Sequence, residues 1–246
     1  MNKNINDIKK QIIIALDVRN QQEAKKILES LPEARIFKVG LELFTAEGPS
    51  VLKLVKSYGR EVFLDLKLHD IPNTVAGAVK SAVRHGVFML TLHTSGGLEM
   101  MKKAIEAAKE MAEKEGRPLP LLLGVTVLTS LKDSDLQEIG FGSDSKSQVL
   151  RLAKLAFEAG IEGLVCSPQE IEELRAELGP RIKIVTPGIR PTWAEAQDQK
   201  RIMTPGQAIQ KGADFLVIGR PITQAALPEQ AFARVVEELQ AAIKPA

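Results

Sequence analysis

The chain runs EVFLDLKLHDIP from Glu61 to Pro72. Its first eight residues predict a β-strand. If successive side chains alternate, apolar residues fill one face and Asp65 and Lys67 share the other. Asp70 follows the strand, which ends at the proline because that residue has no backbone donor. The pattern predicts a carboxylate, an ammonium group and a second carboxylate at a strand end. Such a cluster is either a structural ion-pair network or a reactive site.

The same order of a strand and then a helix recurs along the chain. We predict strands over residues 12–17, 35–40, 61–68, 87–93, 121–126, 161–166, 181–186 and 214–218. This alternation is typical of parallel strands joined by crossover helices. Eight such units in 246 residues predict an α/β protein, a single-domain (β/α)8 TIM barrel over residues 1–246. A doubly wound open sheet is the alternative. No G-x-G-x-x-G motif follows a strand and no G-x-x-x-x-G-K motif occurs, so a nucleotide site has no support in the sequence.

Local patterns predict the ends of some helices and loops. Asn20 is expected to cap a helix over residues 21–30, with Glu23 at the capping-box position. Residues 130–147 are rich in polar side chains and predict a loop. Residues 187–204 form a second long segment, which holds the single tryptophan.

Composition limits the class of protein. The chain is 44% hydrophobic with a formal net charge of +2, which fits one large domain with a substantial core. Acidic and basic residues are interspersed, so no nucleic-acid surface is expected. A polar, lysine-rich start and the lack of a long apolar run predict a cytoplasmic protein without membrane contact. The single cysteine, Cys166, excludes an intrachain disulfide and a cysteine-based zinc site.

Polar residues gather at the ends of the predicted strands. In a barrel, catalytic groups lie at the carboxyl ends of the strands, so these side chains are expected to face one mouth. A structural network confined to the third strand would not require Asp17 and Lys38 at the same end, which favours catalysis. The strand-end residues are Asp17, Lys38, Asp65, Lys67, Asp70, His93, Thr126, Thr129, Thr186, Gly219 and Arg220.

The last two strands predict a phosphate site. Barrels often bind phosphate in the loops after strands seven and eight, with a short extra helix. Gly219 allows close approach of the backbone to an anion, and Arg220 offers a fork of donors that matches phosphate oxygens. Arg190 offers a second fork, although a lone arginine is more often solvated.

A metal site is the less favoured interpretation. Asp17, Asp65 and Asp70 are possible oxygen ligands. The two lysines in the same cluster already offset their charge, so we expect no metal. His93 is expected to lack a second histidine nearby.

Several motifs carry a resemblance to a known family. The block DLKLHDIPNT over residues 65–74 resembles the signature of the orotidine 5′-phosphate decarboxylase family, in its bacterial branch. The shorter Asp-x-Lys-x-x-Asp pattern is shared with sugar-phosphate enzymes of the same superfamily, whereas the ten-residue block is far more specific. Matching motifs are ALD at 15–17, FKVG at 37–40, VTVLTS at 125–130, TPGIRP at 186–191 and VIGRP at 217–221.

The resemblance implies a reaction and its catalytic residues. The family makes UMP from orotidine 5′-monophosphate, with no cofactor. By resemblance, Lys67 donates a proton to C6 of the pyrimidine, and Asp65 lies against the substrate carboxylate. Lys38 and Asp17 complete the charged array and hold the ribose hydroxyls. Electrostatic stabilisation would then supply the catalysis, since nothing in the sequence indicates an electron-accepting cofactor.

The resemblance also implies binding residues and a homodimer. Asp70 and Thr74 would reach the site of the neighbouring subunit, so that two chains share each site. Thr129 would contact the ligand, and Pro187, Arg190 and Gln199 would belong to a loop that closes over phosphate and base. Gly219 and Arg220 would bind the phosphate.

Two other functions remain open from the sequence. One is a sugar-phosphate aldolase or decarboxylase of the same superfamily, which would act through a metal-bound enediolate. The other is a non-catalytic protein that binds a phosphorylated ligand on a barrel scaffold.

Overall fold

The computed structural model describes residues 4–142, 144–194 and 203–243. Eight parallel strands form a closed barrel in the order β1 to β8. The barrel prediction is therefore confirmed, and the open sheet is wrong. The strands are β1 (Ile12–Ala15), β2 (Ile36–Gly40), β3 (Glu61–Leu68), β4 (Met89–His93), β5 (Leu121–Val125), β6 (Gly163–Val165), β7 (Lys183–Thr186) and β8 (Phe215–Ile218).

Helices separate the strands along the chain. They are α1 (Ile5–Lys9), α2 (Gln21–Ser30), α3 (Leu41–Glu47), α4 (Ser50–Ser57), α5 (Pro72–Arg84), α6 (Leu98–Glu115), α7 (Asp133–Glu138), α8 (Ser145–Ala159), α9 (Ile171–Leu178), α10 (Pro205–Gln210), α11 (Arg220–Thr223) and α12 (Pro228–Ile243). Within the described part of the chain, no helix combines the length and apolar character that crossing a membrane requires.

The chain divides into two compact units, of which the first comprises Met1–Asp65 and Thr186–Ala246. In this unit β1 pairs with β2 and β8, and β2 pairs with β3, all in parallel. Every residue of β1 is buried, as expected for a strand covered on both faces. The register places Ala15 beside Lys38 and Gly40 beside Asp65. This register is what brings charged residues of three strands close together.

The second unit, Leu66–Val185, holds β4, β5, β6 and all of β7 except Thr186. Within it, β5 pairs with β4 and β6, and β6 pairs with β7. Gly163 in β6 lies against the side chain of Leu123, which is fully buried. A Cβ at Gly163 would lie 2.5 Å from Leu123 Cδ2, so any larger residue here would force the leucine side chain to shift.

The N-terminus of α2 forms as its sequence predicts. Asn20 is extended, and its side-chain oxygen accepts a hydrogen bond of 3.0 Å from the Glu23 N–H. The Glu23 carboxylate in turn accepts from the Arg19 N–H at 3.2 Å, one residue before the position of a standard capping box.

The short helices α1, α3, α7 and α11 were not expected. Helix α3 follows β2 directly, and α7 lies inside the segment predicted as a polar loop. Each buries a single leucine, Leu43 in α3 and Leu136 in α7. One buried residue gives no 3.6-residue periodicity, which is why the sequence pattern does not reveal them.

Substitution of Gly163 by alanine tests the packing of the second unit. The new methyl group would meet the fully buried Leu123 side chain and force it to shift, so we expect the free energy of unfolding to fall by about 1–3 kcal/mol. The measurement is urea unfolding followed by circular dichroism. Gly142→Ala is the control, because no heavy atom of the described residues, apart from its chain neighbours, lies within 4 Å of its Cβ position. If both variants unfold at the same midpoint urea concentration, the packing of Gly163 against Leu123 is contradicted.

Candidate active site

A lysine lies between two carboxylates in the first unit. The Lys38 Nζ atom is 3.0 Å from Asp17 Oδ1 and 3.6 Å from Asp65 Oδ2. The side chains of Lys38 and Asp65 are 13% and 12% exposed, whereas Asp17 is 63% exposed. Buried charges are costly unless they are paired, and this geometry pairs them. The structure thus brings together three residues that the sequence analysis predicted in one site.

The positions of these three residues follow from the strands. Lys38 lies within β2, and Asp65 lies within β3. The Leu16 N–H donates to the Lys38 carbonyl at 2.9 Å, which sets Asp17 at the end of β1 beside the lysine. Gly219 lies close to Asp17, since a Cβ atom added to this glycine would be 3.8 Å from Asp17 Oδ2.

Lys67, in the second unit, has an unusual backbone. Its φ is +49°, and no other non-glycine residue among those described has a positive φ. Its N–H donates to Thr91 Oγ1 at 2.9 Å. This left-handed φ departs from the extended geometry on which strict alternation of side chains depends.

Asp70 and Thr74 lie on the surface of the second unit. Asp70 is exposed, and its Oδ1 accepts from the Ile71 N–H at 2.6 Å. Ile71 is 67% exposed. Thr74 is exposed in the first turn of α5. Thr129, which follows β5, is exposed as well.

The histidines differ from expectation. The rings of His69 and His93 have centroids 5.4 Å apart at an interplanar angle of 44°. The expectation that His93 lacks a second histidine nearby is wrong, because the turn after β3 returns His69 toward the end of β4. Among the described residues, no group of three or more His, Cys, Asp or Glu side chains is arranged to hold a metal ion.

The predicted phosphate residues of the first unit lie at the ends of β7 and β8. Arg190 is 5% exposed, so it is not the solvated arginine that a lone residue would suggest. Its N–H donates to the Met203 carbonyl at 2.9 Å, and Pro187 precedes it, half-buried. Gly219 caps the short helix α11, which begins at Arg220. Gln199 lies outside the described residues.

Sequence reasoning missed Thr91. It is a fully buried threonine in the middle of β4, between Leu90 and Leu92, which are also fully buried. A polar residue inside an apolar strand requires a hydrogen-bond partner. The threonine between two leucines was therefore a signal in the sequence for a buried hydrogen bond. The sequence does not identify the partner.

The fold and the charged cluster together define a class. A closed barrel of eight parallel strands, with a lysine held between two carboxylates, has the architecture of a (β/α)8-barrel enzyme.

Comparisons with known proteins narrow this class. The family described as "Orotidine 5'-phosphate decarboxylase / HUMPS family" matches residues 10–235. An orotidine 5′-phosphate decarboxylase from Syntrophomonas wolfei is 52% identical over 94% of this chain and 98% of its own length. Another from Haemophilus ducreyi is 53% identical over 89% of this chain and 94% of its own. The crystal structure of orotidine 5′-phosphate decarboxylase from Lactobacillus acidophilus matches with a TM-score of 0.84 and 38% identity, covering 94% of this chain and 99% of that one. The chain belongs to the orotidine 5′-phosphate decarboxylase / HUMPS family.

The central lysine of the cluster can be tested by its effect on stability. Lys38→Met removes the ammonium group that lies 3.6 Å from the buried Asp65 carboxylate, so we expect the free energy of unfolding at neutral pH to fall by about 2–4 kcal/mol. The exposed Asp17 contributes little to that loss. Urea unfolding measures the change.

Lys154→Met is the matched control for Lys38→Met. The Lys154 Nζ atom is 2.8 Å from Glu177 Oε1, but the two side chains are 56% and 43% exposed. We expect its effect to stay within about 1 kcal/mol. A loss for Lys38→Met no larger than that of the control would show that Asp65 does not depend on Lys38.

Proposed function

We propose that the chain decarboxylates orotidine 5′-monophosphate to UMP, as a cofactor-free carboxy-lyase of de novo pyrimidine synthesis. The observation that carries the proposal is Lys38 paired with Asp17 and Asp65 in a chain of this family. The relatives at 52% and 53% identity are named for this activity. The family match crosses both compact units, which supports residues 1–246 acting as one domain.

Decarboxylation leaves negative charge on C6, which a charged side chain can stabilise. The bond between C6 and the carboxylate carbon breaks, carbon dioxide leaves, and the electron pair stays on C6. No neighbouring carbonyl accepts that pair, so positive charge near C6 must stabilise it. We assign this role to the Lys67 ammonium group, which then gives a proton from Nζ to C6. Preorganised charge of this kind is often the largest contribution to catalysis.

The remaining charged residues act on the substrate around the reacting carbon. We propose that Asp65 lies against the substrate carboxylate, so that their repulsion is relieved when carbon dioxide leaves. Lys38 compensates the charge of Asp65 in the resting protein, and with Asp17 it binds the ribose hydroxyls. The exposure of Asp17 supports a ligand contact there, since its carboxylate has room for a further hydrogen bond.

The conformation of Lys67 supports its role as the proton donor. A left-handed φ costs a lysine about 1–2 kcal/mol. Strain of this size is concentrated at functional sites, where the surrounding structure maintains it.

We propose that the phosphate of the substrate binds at the ends of β7 and β8. Gly219 and Arg220 would contact it, and the short helix α11 at that position matches the extra helix of barrel phosphate sites. Arg190, Pro187 and Gln199 would cover phosphate and base, while Thr129 contacts the ligand after β5. Binding energy from the phosphate, which is remote from C6, would help to assemble the site.

We further propose a homodimer in which Asp70 and Thr74 contribute to the partner's site. Both residues are exposed, and the neighbouring Ile71 presents an apolar side chain that is 67% exposed. Their exposure leaves these side chains accessible to a neighbouring subunit. We place the enzyme in the cytoplasm, since its substrate and product are charged phosphate esters, and propose no nucleic-acid or membrane partner.

Substitution of the proton donor tests the function. We expect Lys67→Ala to abolish turnover of orotidine 5′-monophosphate, because C6 then lacks both its stabilising charge and its proton source. UMP should still bind, since the phosphate residues are unchanged. Turnover is measured by the loss of pyrimidine absorbance and binding by calorimetry. Lys154→Ala is the control and should behave as wild type. Turnover by Lys67→Ala at the wild-type rate would refute the assignment.

The shared site can be tested by mixing two inactive variants. In a dimer of one Lys67→Ala chain and one Asp70→Ala chain, one site has both defects and the other has neither. With random exchange half of the dimers are mixed, so about a quarter of all sites should be active. Activity is measured after the mixture is unfolded and refolded. No activity, with exchange verified by differently tagged chains, would mean that Asp70 serves its own chain.

A further inference from the structure

Thr91 joins the middle of β4 to the backbone of Lys67. It is fully buried, as are Leu90 and Leu92 on either side. Its Oγ1 atom accepts a hydrogen bond of 2.9 Å from the Lys67 N–H. Both residues belong to the second compact unit. A side-chain oxygen therefore serves as acceptor for a backbone donor at the point where β3 departs from extended geometry.

The backbone of Lys67 requires such support. Lysine in the left-handed region has a Cβ close to its own carbonyl oxygen, and it lacks the short polar side chain with which asparagine and aspartate hydrogen-bond locally there. The conformation persists only where surrounding contacts favour it over the extended one. The direction of the Cα–Cβ bond, and thus the path of the ammonium group, depends on this φ.

We propose that Thr91 is a positioning residue for Lys67. Its hydroxyl oxygen accepts the Lys67 N–H and thereby stabilises the left-handed backbone that aims the ammonium group. The inference rests on the proposed function, since it gives Lys67 the role of proton donor. Thr91 acts through Lys67 and does not itself touch the substrate.

A second buried threonine in the same unit provides a comparison. Thr94 is also fully buried, and its Oγ1 donates to the Val125 carbonyl at 2.9 Å. That hydrogen bond joins the end of β4 to the end of β5 and does not involve Lys67. Thr94 therefore matches Thr91 in residue type, burial and hydrogen-bond length.

The test is steady-state kinetics of Thr91→Val, which keeps the shape of the side chain and removes the acceptor. We expect kcat to fall about 10- to 100-fold, the range for slight misplacement of a catalytic group. KM and the dissociation constant of UMP should stay within about twofold, because positioning of a proton donor matters mainly in the transition state. Thr91→Ser retains the hydroxyl, and we expect it to recover kcat to within about threefold of wild type.

The control separates positioning from general stability. Thr94→Val removes an equivalent hydrogen bond, so its Tm should fall while its kcat stays within about threefold of wild type. A wild-type kcat for Thr91→Val would overturn the proposal, as would an equal loss of kcat in Thr94→Val. If Thr91→Val does not fold, Thr91→Ala also lacks the acceptor, introduces no larger group and is judged by the same criteria. Failure of the proposed function is distinguishable, because the wild-type chain itself would then not turn over orotidine 5′-monophosphate.

Discussion

Burying a carboxylate is costly unless an opposite charge lies close to it, and Lys38 provides such a charge for Asp65. Both side chains are nearly buried, with Lys38 Nζ 3.6 Å from Asp65 Oδ2 and 3.0 Å from Asp17 Oδ1. The parallel register of β1, β2 and β3 places the three residues within reach of one another. A slip of one residue would turn the charged side chains to the opposite face of their strands. The charges therefore depend on the register, and the proposed chemistry depends on the charges.

The backbone conformation of Lys67 also costs free energy. Its left-handed backbone is less favourable than the extended one, yet it occurs inside a strand of a closed barrel. The Thr91 hydroxyl accepts its N–H and offsets part of that cost. Two sources of instability, buried charge and backbone strain, thus occur in one strand, β3. Such local violations of folding preference are expected where function requires them.

The sequence was sufficient to predict the barrel and the residues at its strand ends. Parallel strands alternating with helices leave few possible topologies, and the apolar runs that form the strands are long enough to recognise. The helix cap at Asn20 was also predictable, because its signal is local. Helices α3 and α7 were not, since each has a single buried residue and hence no periodicity.

Within the site, the sequence indicated which residues matter but not their conformations. Asp17, Lys38 and Asp65 meet because parallel strand ends converge, which is a general property of the fold. Lys67 has a left-handed φ. The hydrogen bond from its N–H to Thr91 joins residues that are 24 positions apart in the sequence. The contact between His69 and His93 likewise depends on how a turn returns the chain. No local pattern encodes these features, because each results from tertiary packing.

We propose that charged side chains of the protein perform the decarboxylation without a metal ion or cofactor. The most direct measurement is turnover of orotidine 5′-monophosphate by the purified protein after exhaustive treatment with a chelator, followed by the loss of pyrimidine absorbance. We predict full activity, because in the proposed mechanism Lys67 supplies both the positive charge and the proton. Loss of activity that magnesium restores would contradict it and would favour a metal-bound enediolate mechanism.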